Sequence, residues 1–148
     1  MRLLADTNVL LDYLLRRPGH SEEIRDLFVM DFCGDAEIWA SAKSLTDIFY
    51  VARRAIGSEA TQRNMLAMLE RLQAVAIDGD DVRASAEACW PDFEGCLIAR
   101  AADKVKADYI VTRDKAGFAA ATVPAASPRE VLDAVAEKTG HHYAELMW

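Results

Sequence analysis

The sequence predicts an α/β protein, a three-layer α/β/α sandwich built around a central, mainly parallel sheet of four to five strands. Short apolar runs that are typical of buried strands alternate along the chain with segments of helical periodicity. Two of these runs lead into an acidic residue, the first at Asp6 and another, about a hundred residues later, at Asp114. Because this alternation favours parallel strands with right-handed crossovers, both carboxylates are expected at the carboxyl edge of one sheet.

Five segments have the length and apolar content of buried strands and are bounded by turn residues. In chain order they are residues 2–6, 37–40, 74–77, 108–112 and 122–124. The last is predicted at an edge of the sheet because Pro124 has no backbone N–H to donate.

Between these strands, apolar residues recur at helical spacing. Helices are predicted after the first strand, from Ser21, over about 42–55, from Ser58, over about 80–88, over about 93–105, and from Ser127. Capping residues explain several boundaries: Thr7 or Asn8 starts the first helix, Gly57 stops the third, and Pro128 takes the first position of the last. The fourth helix is expected to bear Met65, Leu66, Leu69 and Leu72.

Composition and length are typical of one globular domain spanning residues 1–148. The three cysteines lack metal-type spacing, and we interpret them as reduced thiols of a cytoplasmic protein. Acidic residues interrupt the apolar stretch at the N-terminus, which argues against a signal peptide, and no apolar run is long enough to span a membrane. The net charge of −7 argues against broad, nonspecific nucleic-acid binding but does not exclude an RNA substrate.

Five acidic residues are candidates for chemistry, and each has a structural alternative. Asp6 either binds a ligand or caps the helix that follows it. Asp47 borders the apolar face of the third helix and points either at the sheet edge or at solvent. Asp92 and Glu94 begin a helix, where acids favourably oppose the dipole, and Asp114 could belong to a turn.

Polar and charged residues beside these acids are candidates for supporting roles. Asn8 can hydrogen-bond a carboxylate or a ligand without adding charge, and Thr112 supplies a hydroxyl at the end of the fourth strand. Asp12 is expected to be solvated on the first helix. Arg16-Arg17 and Arg53-Arg54 could contact phosphates, although such clusters are more often solvated helix ends.

The order of these acids resembles the PIN-domain family of metal-dependent ribonucleases, and within it the VapC-like toxin endoribonucleases. The resemblance covers nearly the whole chain. Its anchors are Leu4-Ala5-Asp6-Thr7-Asn8-Val9-Leu10, Ser44-Leu45-Thr46-Asp47-Ile48-Phe49-Tyr50-Val51, Asp92-Phe93-Glu94-Gly95-Cys96-Leu97-Ile98-Ala99 and Ala107-Asp108-Tyr109-Ile110-Val111-Thr112-Arg113-Asp114. It implies a PIN-like fold and a bacterial or archaeal toxin that acts on RNA, pairs with an antitoxin and forms a homodimer.

The resemblance also implies a site in which acids collect one or two Mg²⁺ or Mn²⁺ ions. By position, the metal-binding and catalytic roles fall to Asp6, Asp47 and Asp114, and Glu94 or Asp92 would complete the set imperfectly. The supporting roles fall to Asn8 and Thr112. Contacts with the RNA are expected from Arg53, Arg54 and Arg113.

One position departs from the family pattern. The family usually places an acid directly after the Phe-Glu pair, and this chain has Gly95 there. Asp92 or Glu94 would have to substitute, each from a different angle, because neighbouring helical positions are separated by about 100°. The site is therefore expected to hold fewer metal ions or to bind them weakly.

Such a set of acids requires a divalent ion to offset the repulsion between their charges. Two carboxylates about 4 Å apart repel by roughly 4 kcal/mol at an effective dielectric near 20. The expected reaction is in-line hydrolysis of an RNA phosphodiester by a metal-activated water. Asp6 and Asp114 would hold the principal ion, and Asp47 would orient it or its water. Two alternatives remain open: a catalytically impaired PIN-like module that only binds RNA or a protein, and a purely structural dimerisation domain.

Overall fold

The computed structural model describes residues 1–145. Its strands are β1 (Arg2–Ala5), β2 (Glu37–Ser41), β3 (Gln73–Val75), β4 (Tyr109–Val111) and β5 (Ala125–Ala126). They form one parallel sheet in the order β3-β2-β1-β4-β5. The helices are α1 (Thr7–Leu14), α2 (Ser21–Phe32), α3 (Ala42–Ile56), α4 (Ser58–Leu69), α5 (Gly79–Ala88), α6 (Phe93–Val105) and α7 (Pro128–Thr139).

Helices cover both faces of the sheet, so the predicted α/β/α sandwich is confirmed. The central strand β1 is apolar on both sides, and Leu3 and Leu4 are both fully buried. Leu3 belongs to the core that α1, α2, α3 and α7 share, whereas Leu4 belongs to a second core on the α6 side. No helix in the described part of the chain is long and apolar enough to cross a membrane.

The three middle strands bring distant parts of the chain to one edge. Leu4 of β1 pairs with Trp39 of β2 and with Ile110 of β4. Because these strands run in the same direction, the chain leaves all three at the same edge. α1 follows β1 there, α3 follows β2, and Thr112 follows β4.

The outer strands differ slightly from the prediction. β5 occupies 125–126 rather than 122–124, and β3 occupies 73–75 rather than 74–77. The amides of Ile110 and Thr112 donate to the carbonyls of Pro124 and Ala126, each at 2.9 Å. Pro124 therefore joins the sheet through its carbonyl alone, and the regular strand begins directly after it.

The apolar residues predicted on the fourth helix do not share one buried face, since Met65 packs against the core and Leu72, just after α4, is buried, but the other two are exposed. Leu66 is 67 % exposed and Leu69 is 39 % exposed, whereas Thr61 and Met68 are buried. α4 packs mainly on α3 rather than on the sheet, so its buried face is displaced around the helix axis. The result is an apolar surface on α4 that faces solvent.

Asp12 was predicted to be solvated, and this prediction is also wrong. Its side chain is fully buried. The carboxylate is paired with Arg17 Nη1 at 3.0 Å and with Arg113 Nε at 2.7 Å. Two half-exposed arginines thus compensate a buried charge, which ties the end of α1 to the segment that follows β4.

A candidate acidic site at the carboxyl edge of the sheet

The centre of the candidate site is Asp6, which follows β1 and is 7 % exposed. Its Oδ1 accepts a hydrogen bond from the Thr7 amide at 2.7 Å, and its Oδ2 accepts one from the Thr112 hydroxyl at 2.8 Å. Asp6, and not Thr7 or Asn8, is therefore the N-cap of α1. A cap that is buried and bonded across the sheet is compatible with both roles that the sequence left open.

The surroundings of Asp6 disfavour its negative charge. Burial raises the pKa of the Asp6 carboxyl, the hydrogen bonds from Thr112 and Thr7 lower it, and the charges of Glu94 and Asp92 raise it again. The net direction is upward. A positive charge placed beside Asp6 would favour the ionised form, which is the electrostatic condition expected of a cation ligand.

Glu94 reaches the site from the first turn of α6. The Thr7 hydroxyl donates to Glu94 Oε1 at 3.0 Å and lies 2.9 Å from Ser44 Oγ. Thr7 thereby joins α1, α3 and α6 directly beside Asp6. Of the two acids at the start of α6, Glu94 is the one that is hydrogen-bonded to a neighbour of Asp6.

Asp92 has a different local role, since it is the N-cap of α6. Its Oδ1 accepts a hydrogen bond from the Gly95 amide at 3.1 Å, and the residue is exposed. A Cβ built on Gly95 would lie 2.9 Å from Asp92 Oδ2, which is closer than side chains tolerate. The acid that the family carries at this position therefore cannot fit unless the Asp92 side chain moves.

Asp47 lies on α3 beside a lysine of the same helix. The Lys43 ammonium forms an ion pair with Asp47 Oδ2 and lies 3.9 Å from Glu94 Oε2. The Asp47 and Glu94 carboxylates, which belong to different helices, therefore lie close to the same ammonium group.

Asp114 lies one side chain away from Asp6. The Thr112 hydroxyl, fully buried, donates to Asp6 and accepts from the Asp114 amide at 3.0 Å. The Asp114 carboxylate itself is exposed and accepts from the Gly117 amide at 3.2 Å, in a 3-10 turn. Asp114 is thus connected to Asp6 through Thr112, while its carboxylate is hydrogen-bonded to the turn that follows it.

The remaining predicted residues lie further from Asp6 or are otherwise engaged. Asn8 is exposed on α1. The Arg53 guanidinium stacks over the Tyr50 ring at 5.3 Å, and Arg54 is exposed in the last turn of α3, about 10 Å along the helix from Asp47. Arg113 is paired with the buried Asp12.

Three residues that sequence reasoning missed complete the site, namely Thr7, Lys43 and Ser44. Thr7 follows Asp6 directly in the chain, and Lys43 lies four residues before Asp47, which is the spacing of an ion pair on one helix. These spacings are visible in the sequence. What the sequence does not show is that both residues also meet Glu94, which comes from a distant helix.

The donor atoms suit a hard cation such as Mg²⁺ or Mn²⁺, because Asp6, Asp47 and Glu94 offer only carboxylate oxygens. Among residues 1–145, however, no three His, Cys, Asp or Glu side chains are already grouped closely enough to hold a metal ion. The Lys43 ammonium lies between two of the three acids. The residues therefore fit a divalent ion in their chemistry, and side chains would have to move to gather around it.

A family model described as a PIN domain matches residues 2–116, a range that contains every acid described above. The chain belongs to the PIN-domain family. PIN domains are generally nucleases, and the resemblance inferred from the sequence is confirmed at the level of the family. No curated protein sequence matches this PIN domain.

The fold is also found among solved structures. A chain in the crystal structure of VapBC2 from Rickettsia felis, bound to a DNA fragment from its promoter, superposes with a TM-score of 0.64. The match covers 86 % of this chain and 98 % of that chain, at 17 % sequence identity. At this identity, the likeness concerns the fold.

Proposed function

We propose that this PIN domain is a metal-dependent endoribonuclease that hydrolyses RNA phosphodiester bonds in the cytoplasm as the toxin of a toxin–antitoxin pair. The observation that carries the proposal is the buried Asp6 carboxylate at the end of the central strand, bonded across the sheet by Thr112 and flanked by Glu94. The family match supports nuclease activity.

In this proposal, Asp6, Asp47, Glu94 and Asp114 would hold Mg²⁺ or Mn²⁺, and Asp92 would contribute only after leaving its helix cap. A bound divalent ion supplies an activated water and stabilises charge on the phosphate and the leaving oxygen. Thr112 orients Asp6 from β4, and Thr7 orients Glu94 from α1. These two hydroxyls fix the orientation of the Asp6 and Glu94 carboxylates.

The RNA would approach from the side of α3. Arg53 and Arg54 lie at the end of that helix and carry exposed positive charge that can contact phosphates. Arg113 would contribute less, because its guanidinium compensates the buried Asp12. Asn8 is exposed near the start of α1 and would contact a ligand or a water rather than a protein carboxylate.

An antitoxin and a second copy of the chain are the proposed protein partners. The solved neighbour from Rickettsia felis is a VapBC2 structure, which supports looking for an antitoxin. Exposed apolar side chains that a partner could cover are present on α2 and α4, namely Phe32, Leu66 and Leu69.

The direct test is RNA cleavage by purified protein with Mn²⁺, with Mg²⁺ and with a chelator. Asp6→Asn keeps the shape of the side chain but removes its charge, so we expect the cleavage rate to fall at least about 100-fold. Asp133→Asn, which changes an exposed acid on α7 that is paired with Arg129, is the matched control and should cleave at the wild-type rate. Equal cleavage in the presence of chelator would contradict the metal mechanism.

A catalytically impaired module that only binds RNA or a protein is the second candidate. It is favoured by Gly95 at a usually acidic position and by the ion pair of Lys43 within the site. A purely structural dimerisation domain, by contrast, would show no stabilisation when Mn²⁺ is added.

A further inference from the structure

The helix dipole does not explain the position of Lys43. Lys43 is the second residue of α3, two residues after the Ser41 cap, where the helix dipole disfavours a positive charge. Its ammonium nevertheless pairs with Asp47 and lies 3.9 Å from Glu94 Oε2. Asp47, four residues later on the same helix, and Glu94 of α6 therefore supply the stabilisation that the helix dipole does not.

The contacts of Glu94 leave one of its oxygens facing this lysine. Glu94 Oε1 is held by the Thr7 hydroxyl, and Oε2 is the oxygen nearer to Lys43. Asp47 presents Oδ2 to the same ammonium. Lys43 thus contacts the oxygens that a cation shared by Asp47 and Glu94 would use.

We propose that Lys43 is an internal cation of this site, which holds the Asp47 and Glu94 carboxylates until a divalent ion displaces it. The proposal rests on the proposed function for the identity of that ion. Lys43 acts here as a positioning residue, because its ammonium and a divalent ion repel each other and compete for the same oxygens. A site of this kind stays folded without metal, and it requires a higher concentration of Mg²⁺ or Mn²⁺ than the same acids would without the lysine.

Displacement is sterically simple. The Lys43 side chain is 38 % exposed and ends in a flexible four-carbon stem, so the ammonium can move into water without a change in α3. Asp47 is 32 % exposed and Glu94 is 41 % exposed, so a hydrated ion can reach both acids from solvent.

The first test is Mn²⁺ binding to the full-length protein in the absence of RNA, measured by isothermal titration calorimetry. Lys43→Met removes the ammonium and keeps an unbranched side chain, so we expect Mn²⁺ to bind about tenfold more tightly than to the wild type. Lys43→Arg keeps a cation and should bind Mn²⁺ like the wild type. Lys138→Met, the matched control, removes an exposed lysine from the last turn of α7 and should leave the affinity unchanged.

The second test uses the wild-type protein and so does not depend on whether a variant folds. Acetic anhydride modifies exposed lysines, and mass spectrometry gives the rate at each position. Saturating Mg²⁺ should accelerate the acetylation of Lys43 severalfold, because the displaced ammonium enters solvent, and should leave that of Lys138 unchanged.

Unchanged or weaker Mn²⁺ binding by a folded Lys43→Met variant would overturn the proposal. An acetylation rate at Lys43 that does not respond to Mg²⁺ would also overturn it, and this result decides the matter if the variant does not fold. A protein that binds Mn²⁺ more tightly after Lys43→Met but never cleaves RNA would refute the ribonuclease assignment and leave the role of Lys43 standing.

Discussion

Two aspartates at the candidate site, Asp92 and Asp114, each accept a hydrogen bond from the backbone amide of a glycine three residues later in the chain. The amides of Gly95 and Gly117 donate to them at 3.1 and 3.2 Å. A Cβ at either glycine would come within 2.9 or 2.7 Å of the same carboxylate. Because glycine has no Cβ, each carboxylate can lie this close to the glycine. Any side chain at position 95 must displace the Asp92 carboxylate.

Gly95→Asp should therefore change two things at once, because it adds an acid and releases Asp92 from its cap. We expect Mn²⁺-dependent RNA cleavage to rise at least about tenfold, since a further carboxylate strengthens the metal site. Gly95→Ala makes the same contact with Asp92 but brings no acid, and it should cleave at close to the wild-type rate. Initial rates at one subsaturating Mn²⁺ concentration provide the comparison.

Equal gains in the two Gly95 variants would show that helix propensity, and not the new carboxylate, is responsible. No gain in either variant, in a protein that still binds RNA, would favour the impaired binding module.

Sequence reasoning reached Asp6 as a residue of special importance because a carboxylate at the end of a buried strand needs a partner. It also placed Thr112 beside the site, and the structure shows the hydrogen bond between the two. It could not choose between Asp92 and Glu94, since both precede Gly95 at the same helix start. The contact of Asp92 with Gly95 is local, but the contact of Glu94 with Thr7 depends on how α6 packs against α1, which local sequence patterns do not encode.

At the scale of elements, α5 and α6 are joined through Asp81, a residue that is only 2 % exposed. Its carboxylate lies 2.7 Å from Lys104 Nζ and 3.1 Å from Arg100 Nη2, and it also accepts from the Asp78 amide at 3.0 Å. Burial opposes the ionised form, but the hydrogen bonds from Lys104, Asp78 and Arg100 and the charge of Lys104 hold the pKa of Asp81 at about 2. This buried carboxylate is therefore ionised through the whole physiological range.

Asp81→Asn should lower the free energy of unfolding at pH 7 by about 1–3 kcal/mol, because charge-assisted hydrogen bonds are lost. The pKa of an unfolded aspartate is about 3.9, above that of folded Asp81, so the contribution is complete above that pH. It is lost as the pH falls toward 2. The difference between wild type and variant in urea unfolding should accordingly shrink between about pH 4 and pH 2.

The matched control for this experiment is again Asp133→Asn. Its exposed pair with Arg129 should contribute less than about 1 kcal/mol at any pH. A difference between wild type and Asp81→Asn that persists undiminished near pH 2 would contradict an electrostatic origin.

Element boundaries were predictable where capping residues mark them. Ser127 and Pro128 begin α7 as expected, with Glu130 completing a capping box. The buried face of α4 was not predictable, because that helix packs on α3 and exposes Leu66. A periodic apolar pattern shows that a helix has an inner face, but it does not identify the element against which that face lies.

At the scale of the whole molecule, both ends of the described chain meet at Asp35. The N-terminal ammonium of Met1 lies 3.4 Å from the Asp35 carbonyl. The Tyr143 hydroxyl donates to Asp35 Oδ2 at 2.7 Å, and His141 Nδ1 lies 3.2 Å from the same oxygen. Burial and the adjacent Asp35 carboxylate raise the pKa of Tyr143 well above its usual value, so the phenol stays protonated and keeps donating.

Tyr143→Phe should lower the free energy of unfolding by about 1–2 kcal/mol, since it deletes a hydrogen bond to a carboxylate from a residue that is 4 % exposed. Chemical denaturation at pH 7 measures this change. Tyr50→Phe removes the hydroxyl of a tyrosine that is 59 % exposed and should stay within about 0.5 kcal/mol of the wild type. An equal loss in both variants would rule out a specific contribution from the Asp35 contact.

The topology as a whole followed from the alternation of strands and helices, which allows few arrangements once parallel pairing is assumed. That rule also brings Asp6 and Thr112 to one edge. The ion pair between Asp12 and Arg113 could not be predicted from that rule, because it depends on a long arginine side chain that extends across the edge of the sheet.

The sheet terminates in very short strands, three residues in β3 and two in β5. Unpaired backbone on an outermost strand is what another polypeptide uses when it extends a sheet. Edge strands as short as these offer few backbone groups for an added strand to pair with. We therefore expect any protein bound by this domain to recognise its helices, and we expect stacking into ordered fibrils to be disfavoured at the concentrations found in a cell.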